Sequence, residues 1–219
     1  MKIGHLFKLV LFALILVVTQ SCDDHEHIDK NIHVGYVLCS DGQTVAIDDC
    51  EKAGKEPVAV VFYTSENASE TGEGLAVGLR EIYPVAFSDT LGVNQGTSAD
   101  TEKQDGNGNT FTLYSNNKAK SPLAEAVFAY WRYGQSAYIP SVAEMRILHT
   151  SLPIVNPLLK RCGGDTISVM PGHCWYWTST EVSGQASAKA WLYSLGTGAM
   201  QETPKIETHP ARAIITLFK

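Results

Sequence analysis

Two helix-start signals stand close together in the middle of a chain whose remainder is written in strand periodicity. This limits the folds open to it more than any other feature of the sequence. At the first, Ser121 precedes Pro122, a capping residue followed by the residue best tolerated at the first helical position. Leu123, Val127, Tyr130 and Trp131 then fall on one helical face, and Gly134 is a natural stop. At the second, Pro140 leads into Ser141-Val142-Ala143-Glu144, the spacing of a capping box between Ser141 and Glu144. Val142, Met145, Leu148 and Leu152 mark its buried face. The run that follows predicts a short third helix, broken or kinked at Asn156-Pro157 and ended by Gly163-Gly164.

Strand patterns flank this block on both sides. Val34–Cys39 and Thr44–Ile47 predict a hairpin, with its turn at Asp41-Gly42. The unbroken apolar run from Val58 to Tyr63 predicts a strand buried on both faces, and another strand is centred on Leu75–Leu79. Residues 88–110 carry almost no large apolar side chain and predict a long loop, a place where function often sits. After the helices come strands at Trp175–Ser179, Lys189–Leu195 and Ala211–Phe218, with a hairpin turn at Gly196-Thr197-Gly198. Strands, then helices, then strands describe a segregated α+β fold and not a βαβ repeat.

The N-terminus stands apart from this domain. Residues 1–21 hold Lys2, Lys8 and the apolar stretch Leu9–Val18, too short to span a bilayer and suited to a signal peptide. The segment runs directly into Cys22-Asp23-Asp24 and resembles a bacterial lipoprotein signal with Cys22 as the lipidated residue; an ordinary cleaved signal peptide is the alternative. The resemblance implies an outer-membrane, lipid-anchored protein exposed at the cell surface, as in gut bacteria. Residues 22–33 then form a tether, and 34–219 a single domain. Histidines and carboxylates mix in the tether, but a flexible tail is a poor scaffold for a metal. No metal or other cofactor is therefore expected. Loss of residues 1–21 removes two lysines and turns a formal charge of −6 into −8. That balance excludes nucleic acid as a partner, which needs a basic footprint. Four further cysteines, Cys39, Cys50, Cys162 and Cys174, allow three disulfide connectivities. The sequence-near pairs Cys39–Cys50 and Cys162–Cys174 are the least demanding; free buried thiols are the alternative.

The densest aromatic stretch is Cys174-Trp175-Tyr176-Trp177-Thr178-Ser179-Thr180-Glu181. Period two places Trp175 and Trp177 on one face and Tyr176 on the other. We expect Trp177 inside, building the core, and Tyr176 partly outside. Arg212 interrupts the apolar final strand. An unpaired buried charge is very costly, so it is expected to bond a carboxylate or carbonyls near Trp177–Glu181. Glu144 has a structural role as the partner of Ser141. The phosphate-binding, nucleophile-elbow and zinc-protease motifs are absent, and His173 beside Cys174 is not read as a catalytic pair, since such partners meet from separate segments. No catalytic residue is assigned, and the chain is not expected to be an enzyme.

Four short motifs in order carry a family resemblance. Ile139-Pro140-Ser141 with Glu144, Trp177-Thr178-Ser179-Thr180-Glu181, Ala190-Trp191 through Gly196, and Ala211-Arg212 resemble the domain related to the C-terminal domain of the Lcl adhesin. The likeness covers about residues 34–218. It departs at Ala137, where the family has tryptophan, and at Thr178, where it has serine. The resemblance implies a C-type-lectin-like fold: two helices on an antiparallel sheet, long loops, and a second small sheet. It implies a non-catalytic binding or adhesion module whose partner is a glycan or a surface protein. A structural accessory subunit of a fimbria-like assembly is the alternative, and an enzyme on the same fold comes behind it. The calcium-lectin motifs are missing, and calcium-dependent sugar binding is not expected. On this reading the ligand meets loops 88–110 and 181–189, with Tyr176, Glu181 and Trp191 as candidate contacts. Trp177, Arg212, Ser141 and Glu144 are structural.

Overall fold

A computed structural model describes residues 31–65, 74–130 and 136–218. The signal segment, Cys22, most of the tether, Trp131 and Gly134 lie outside the described residues. Among the described residues, nine strands and four helices are arranged as two antiparallel sheets and the helices packed on them, a mixed α+β fold.

The larger sheet contains β1 (Val37–Cys39), β2 (Thr44–Val45), β3 (Pro57–Thr64), β4 (Gly74–Ala86), β5 (Ala137–Tyr138) and β9 (Thr208–Leu217), in the order β2-β1-β3-β4-β9-β5. The smaller sheet has the order β6-β7-β8, from β6 (Trp175–Glu181), β7 (Lys189–Ser194) and β8 (Met200–Pro204). The first and last strands thus share one sheet without touching.

The hairpin β1–β2 turns at Gly42, whose φ of 83° suits glycine. Its second arm is shorter than the sequence predicts. Ile47–Lys52 forms a helix instead, α1, with Asp48 and Asp49 in its first turn. Cys39 of β1 and Cys50 of α1 form a disulfide, while Cys162 and Cys174 are free thiols. A bridge of this kind contributes on the order of 2–4 kcal/mol by restricting the unfolded chain.

β3 is buried on both faces, as its unbroken apolar run predicts. Val60 and Phe62 face one core cluster, Ala59 and Val61 the other. The first cluster lies under the longest helix of the described residues, α4 (Val142–Arg161), through Met145, Leu148, Val155 and Leu159. The second lies under α3 (Pro122–Ala129), through Leu123 and Val127. Both helices begin where the sequence signals stand. Ser121 Oγ accepts from Ala124 N at 3.1 Å. Ser141 Oγ accepts from Glu144 N at 3.3 Å, and Ser141 N donates back to Glu144 Oε2 at 2.6 Å.

Two helical expectations need correction. α4 continues through Pro153 and Pro157 as one twenty-residue helix. Both prolines lie on its exposed side, where their rings meet no core side chain. The end at Gly163, with φ of 67°, is where the glycine pair predicts it. Second, the long loop stops at Asp105, and Gly106–Ser115 is a helix, α2. It has no apolar stripe. Tertiary bonds hold it instead: Thr110 Oγ1 accepts from Ile139 N at 2.9 Å, and Asn109 Oδ1 accepts from Ser98 N at 2.9 Å.

Candidate functional site

The feature that shapes the candidate site is irregularity in β4. Against β9 its register shifts twice, between Val77 and Glu81 and between Ile82 and Val85. Each shift puts extra residues on β4, bending the strand and turning side chains out of the ladder. The first bulge carries Arg80, and the second carries Tyr83 and Pro84. Pro84 has no N–H to give a ladder and fits only at such a position.

The bulges leave backbone groups without ladder partners, and other elements supply them. Gly78 lets the Tyr130 ring lie against β4, since a Cβ there would meet that ring at 2.8 Å. Tyr130 Oη then accepts from Arg80 N at 2.8 Å. The loop after α4 comes equally close, because Gly164 has no side chain to strike Leu79 O. Asp165 N donates to Leu79 O at 2.8 Å. The Asp165 carboxylate accepts from Glu81 N and from Arg80 Nη1, each at 3.1 Å. These bonds hold its pKa below the usual carboxylate value, the Glu81 amide first and the Arg80 guanidinium after it.

Between the bulged edge of β4, the loop 165–173, the start of β6 and the near ends of β8 and β9 lies a cleft of about 1050 Å³. Trp175, half-buried, and Leu192 form its apolar wall, and His173, Gln201 and His209 stand around it. Tyr83 on the rim is 86 % exposed. Behind Glu81 and Asp165 lies Arg212, the cross-strand partner of Glu81 and completely buried. Its Nη2 donates to Asp165 O at 2.7 Å and stands 3.7 Å from Glu81 Oε2. Its Nε and Nη1 are buried without a protein partner. Burial lowers the Arg212 pKa, and the charges around it oppose that. The Tyr176 hydroxyl ties the cluster together. It donates to Glu81 Oε2 at 3.1 Å and accepts from Ser168 N at 3.2 Å. Burial pushes its pKa up to about 12, so it remains a donor at neutral pH.

Two sequence expectations fail here. Arg212 is paired, but with Asp165 and Glu81 and not with the Trp177–Glu181 segment. The reason is register: the first bulge sets Glu81 opposite Arg212. Tyr176 is not partly outside; it is fully buried, because β6 is covered on both faces, with Tyr176 in one core cluster and Trp177 in the other. Trp177 is buried against Phe87 and donates from Nε1 to Val85 O at 2.9 Å. Tyr176 therefore offers a ligand no surface.

Glu181 is the larger correction. It too is fully buried, at the centre of a second polar cluster. Its Oε1 accepts from Gln95 N at 3.0 Å, and its Oε2 accepts from Thr97 N and Thr97 Oγ1, each at 3.0 Å. The Lys205 ammonium, also fully buried, pairs with Glu181 Oε1. Lys205 Nζ also donates to Val93 O at 3.2 Å and to Gln95 Oε1 at 3.3 Å, and lies 5.3 Å from the centre of the Phe87 ring. Three N–H groups therefore meet three oxygens. Burial lowers the Lys205 pKa, and Glu181 counters that. The cluster fastens residues 93–97 to the core, and Gly92 N to Ser187 O at 2.8 Å joins them to loop 181–189. Glu181 is an anchor for the loop and not a ligand contact. Trp191 remains half-buried, but alternation along β7 turns it away from Leu192 and hence from the cleft.

Glu144, the other buried carboxylate among the described residues, accepts only from neutral donors: Ser141 N, and the Tyr138 hydroxyl at 3.4 Å. Burial raises its pKa to about 7, against those hydrogen bonds.

Tyr83 and Asp165 escaped the sequence reading. Pro84 inside a strand pattern was the one available sign of the bulge that presents Tyr83. Nothing local marked Asp165 or Lys205. Among the described residues no group of three or more His, Cys, Asp and Glu side chains is gathered as a metal site, and no helix is long and apolar enough to cross a membrane. No protein-family model matches the chain, and a search of curated proteins returns no match to it.

Proposed function

We propose that this chain is a non-catalytic binding module of adhesion type, anchored by lipid at Cys22 and exposed on the outer membrane, with a C-type-lectin-like fold and a glycan or a surface protein as its partner. The cleft between the β4 bulges and Trp175 is its binding face. The observation that carries this reading is the combination at that cleft of an exposed ring, Tyr83, a half-buried ring, Trp175, and polar groups fixed in place by Asp165 and Tyr176. Preformed concave sites with a few convergent polar groups are where ligands bind. The two-sheet α+β arrangement, with both ends of the domain in one sheet, is compatible with the lectin-like fold. A Cys39–Cys50 disulfide fits an exported protein.

The test has two arms on intact cells. Surface protease or antibody must reach the domain, and Cys22→Ala must release it from the membrane. Labelled full chain must then bind a cell-surface ligand. Retention at the membrane after Cys22→Ala sinks the anchor; a domain sheltered from protease sinks the surface location. Stable co-purification with a large surface assembly, without ligand binding, would favour the accessory-subunit role.

A further inference from the structure

We infer that the cleft over Arg212 takes an uncharged glycan, with sugar rings against Tyr83 and Trp175 and hydroxyls on Glu81, Asp165 and Arg80. This rests on the reading of the chain as a surface binding module and names its ligand class.

Charge balance is the first argument. Two cations and two anions line the cleft or lie behind it, and they are matched internally: Arg80 with Asp165 at 3.1 Å, Arg212 with Glu81 at 3.7 Å. A phosphate, sulfate or carboxylate ligand would meet no surplus positive charge and would face Glu81 and Asp165. A basic peptide would meet carboxylates already engaged. Affinity for a charged ligand needs a complementary potential, and a balanced wall does not supply one.

The polar groups exclude a purely apolar ligand in turn. Carboxylates and guanidinium groups stripped of water need replacement hydrogen bonds. Glu81 and Asp165 can accept from hydroxyls, and Arg80 can donate to them. Arg212 lies behind this wall, fully buried and outside the cleft's lining, so the donor that faces a ligand is Arg80. A sugar carries donors and acceptors in every hydroxyl.

The rings decide between sugars and other polar molecules. Tyr83 is 86 % exposed at the rim, and Trp175 is half-buried in the wall. Such rings are amphipathic platforms with an apolar face, and a pyranose offers a matching flat C–H face. The cleft, about 1050 Å³, exceeds the needs of one sugar ring and suits a short oligosaccharide.

The experiment is a glycan array that carries neutral, uronate-bearing, sialylated and sulfated oligosaccharides, probed with the full chain in detergent at low and high salt. Neutral oligosaccharides are expected to bind, with little change on adding salt. Trp175→Ala and Tyr83→Ala are each expected to weaken that binding by about tenfold, with the thermal midpoint of Tyr83→Ala unchanged. Binding confined to acidic glycans, or abolished by salt, overturns the inference. So does full binding by both ring variants. Capture of a surface protein with no glycan bound also overturns it, while leaving the binding-module reading standing. No binding to either class removes both.

Discussion

The two polar clusters of this protein differ in what they leave unmatched. Around Glu181 and Lys205 every polar atom has a partner, both charges are fully buried, and the bonds run to one loop segment, residues 93–97. Around Arg212 the carboxylates of Glu81 and Asp165 are partly exposed, and two guanidinium nitrogens, Nε and Nη1, have no protein partner. Low dielectric makes a satisfied network rigid and an unsatisfied one costly. The closed cluster therefore reads as architecture. The open one stands beside the cleft and an exposed tyrosine, and is the face we propose for binding.

The comparison can be broken most severely at Lys205. Lys205→Met leaves Glu181 charged and buried, and removal of one partner of such a pair costs about 3–5 kcal/mol. Denaturant unfolding should show this loss, and hydrogen exchange should show residues 93–97 opening first. A stable variant with a protected loop would mean that the closed cluster does not anchor anything.

Glu144 sharpens the comparison from the side of charge. Unlike Glu181 it has no cation beside it, and its pKa rises from 4.5 to about 7. The folded chain then holds that proton more tightly than the unfolded chain. The stability from this group is complete below pH 4.5 and declines as pH rises to about 7, by up to roughly 1.4 kcal/mol per pH unit. Glu144→Gln should flatten that slope in a series of unfolding curves. A slope identical in the variant would assign the pH dependence elsewhere.

Removal of Arg212 should cost less than removal of Lys205, because Glu81 and Asp165 already reach solvent. For Arg212→Met we expect about 1–3 kcal/mol, read as a drop in Tm. A loss equal to that of Lys205→Met would make the open cluster as structural as the closed one. At the exposed Lys189–Glu202 pair, Lys189→Ala should change stability by about 1 kcal/mol or less.

Much of the frame was legible before the fold was known, and the residues show why. Ser121, Ser141 and Glu144 act on neighbours three residues away, so their caps are written locally. Val58–Tyr63 announces a strand buried on both faces because period two needs no distant partner. The failures are all non-local. α2 is held by Thr110 bonds to Ile139 and by the fit of Gly106 under Glu144, not by an apolar stripe. α4 survives two prolines because both face water. Lys205 looks like any solvated lysine until Glu181, twenty-four residues earlier in the chain, is placed against it. The site suffered most. Trp175 and Arg212 stood out by type, but the cleft that Trp175 lines and Arg212 lies behind depends on two bulges in β4, which only register reveals. Glu181 drew attention for its place at the end of an aromatic strand, and that place is the one that buries it.

The central claim is that the ligand meets the cleft and not the Glu181 edge. The direct measurement is array binding by two single-residue surface variants, Tyr83→Ala on the cleft rim and Gln185→Ala on the loop after Glu181. Both side chains are exposed, so neither change should disturb folding. The account predicts about tenfold weaker binding to neutral glycan for Tyr83→Ala and wild-type binding for Gln185→Ala. The opposite pattern, loss at Gln185 with Tyr83 indifferent, would contradict it.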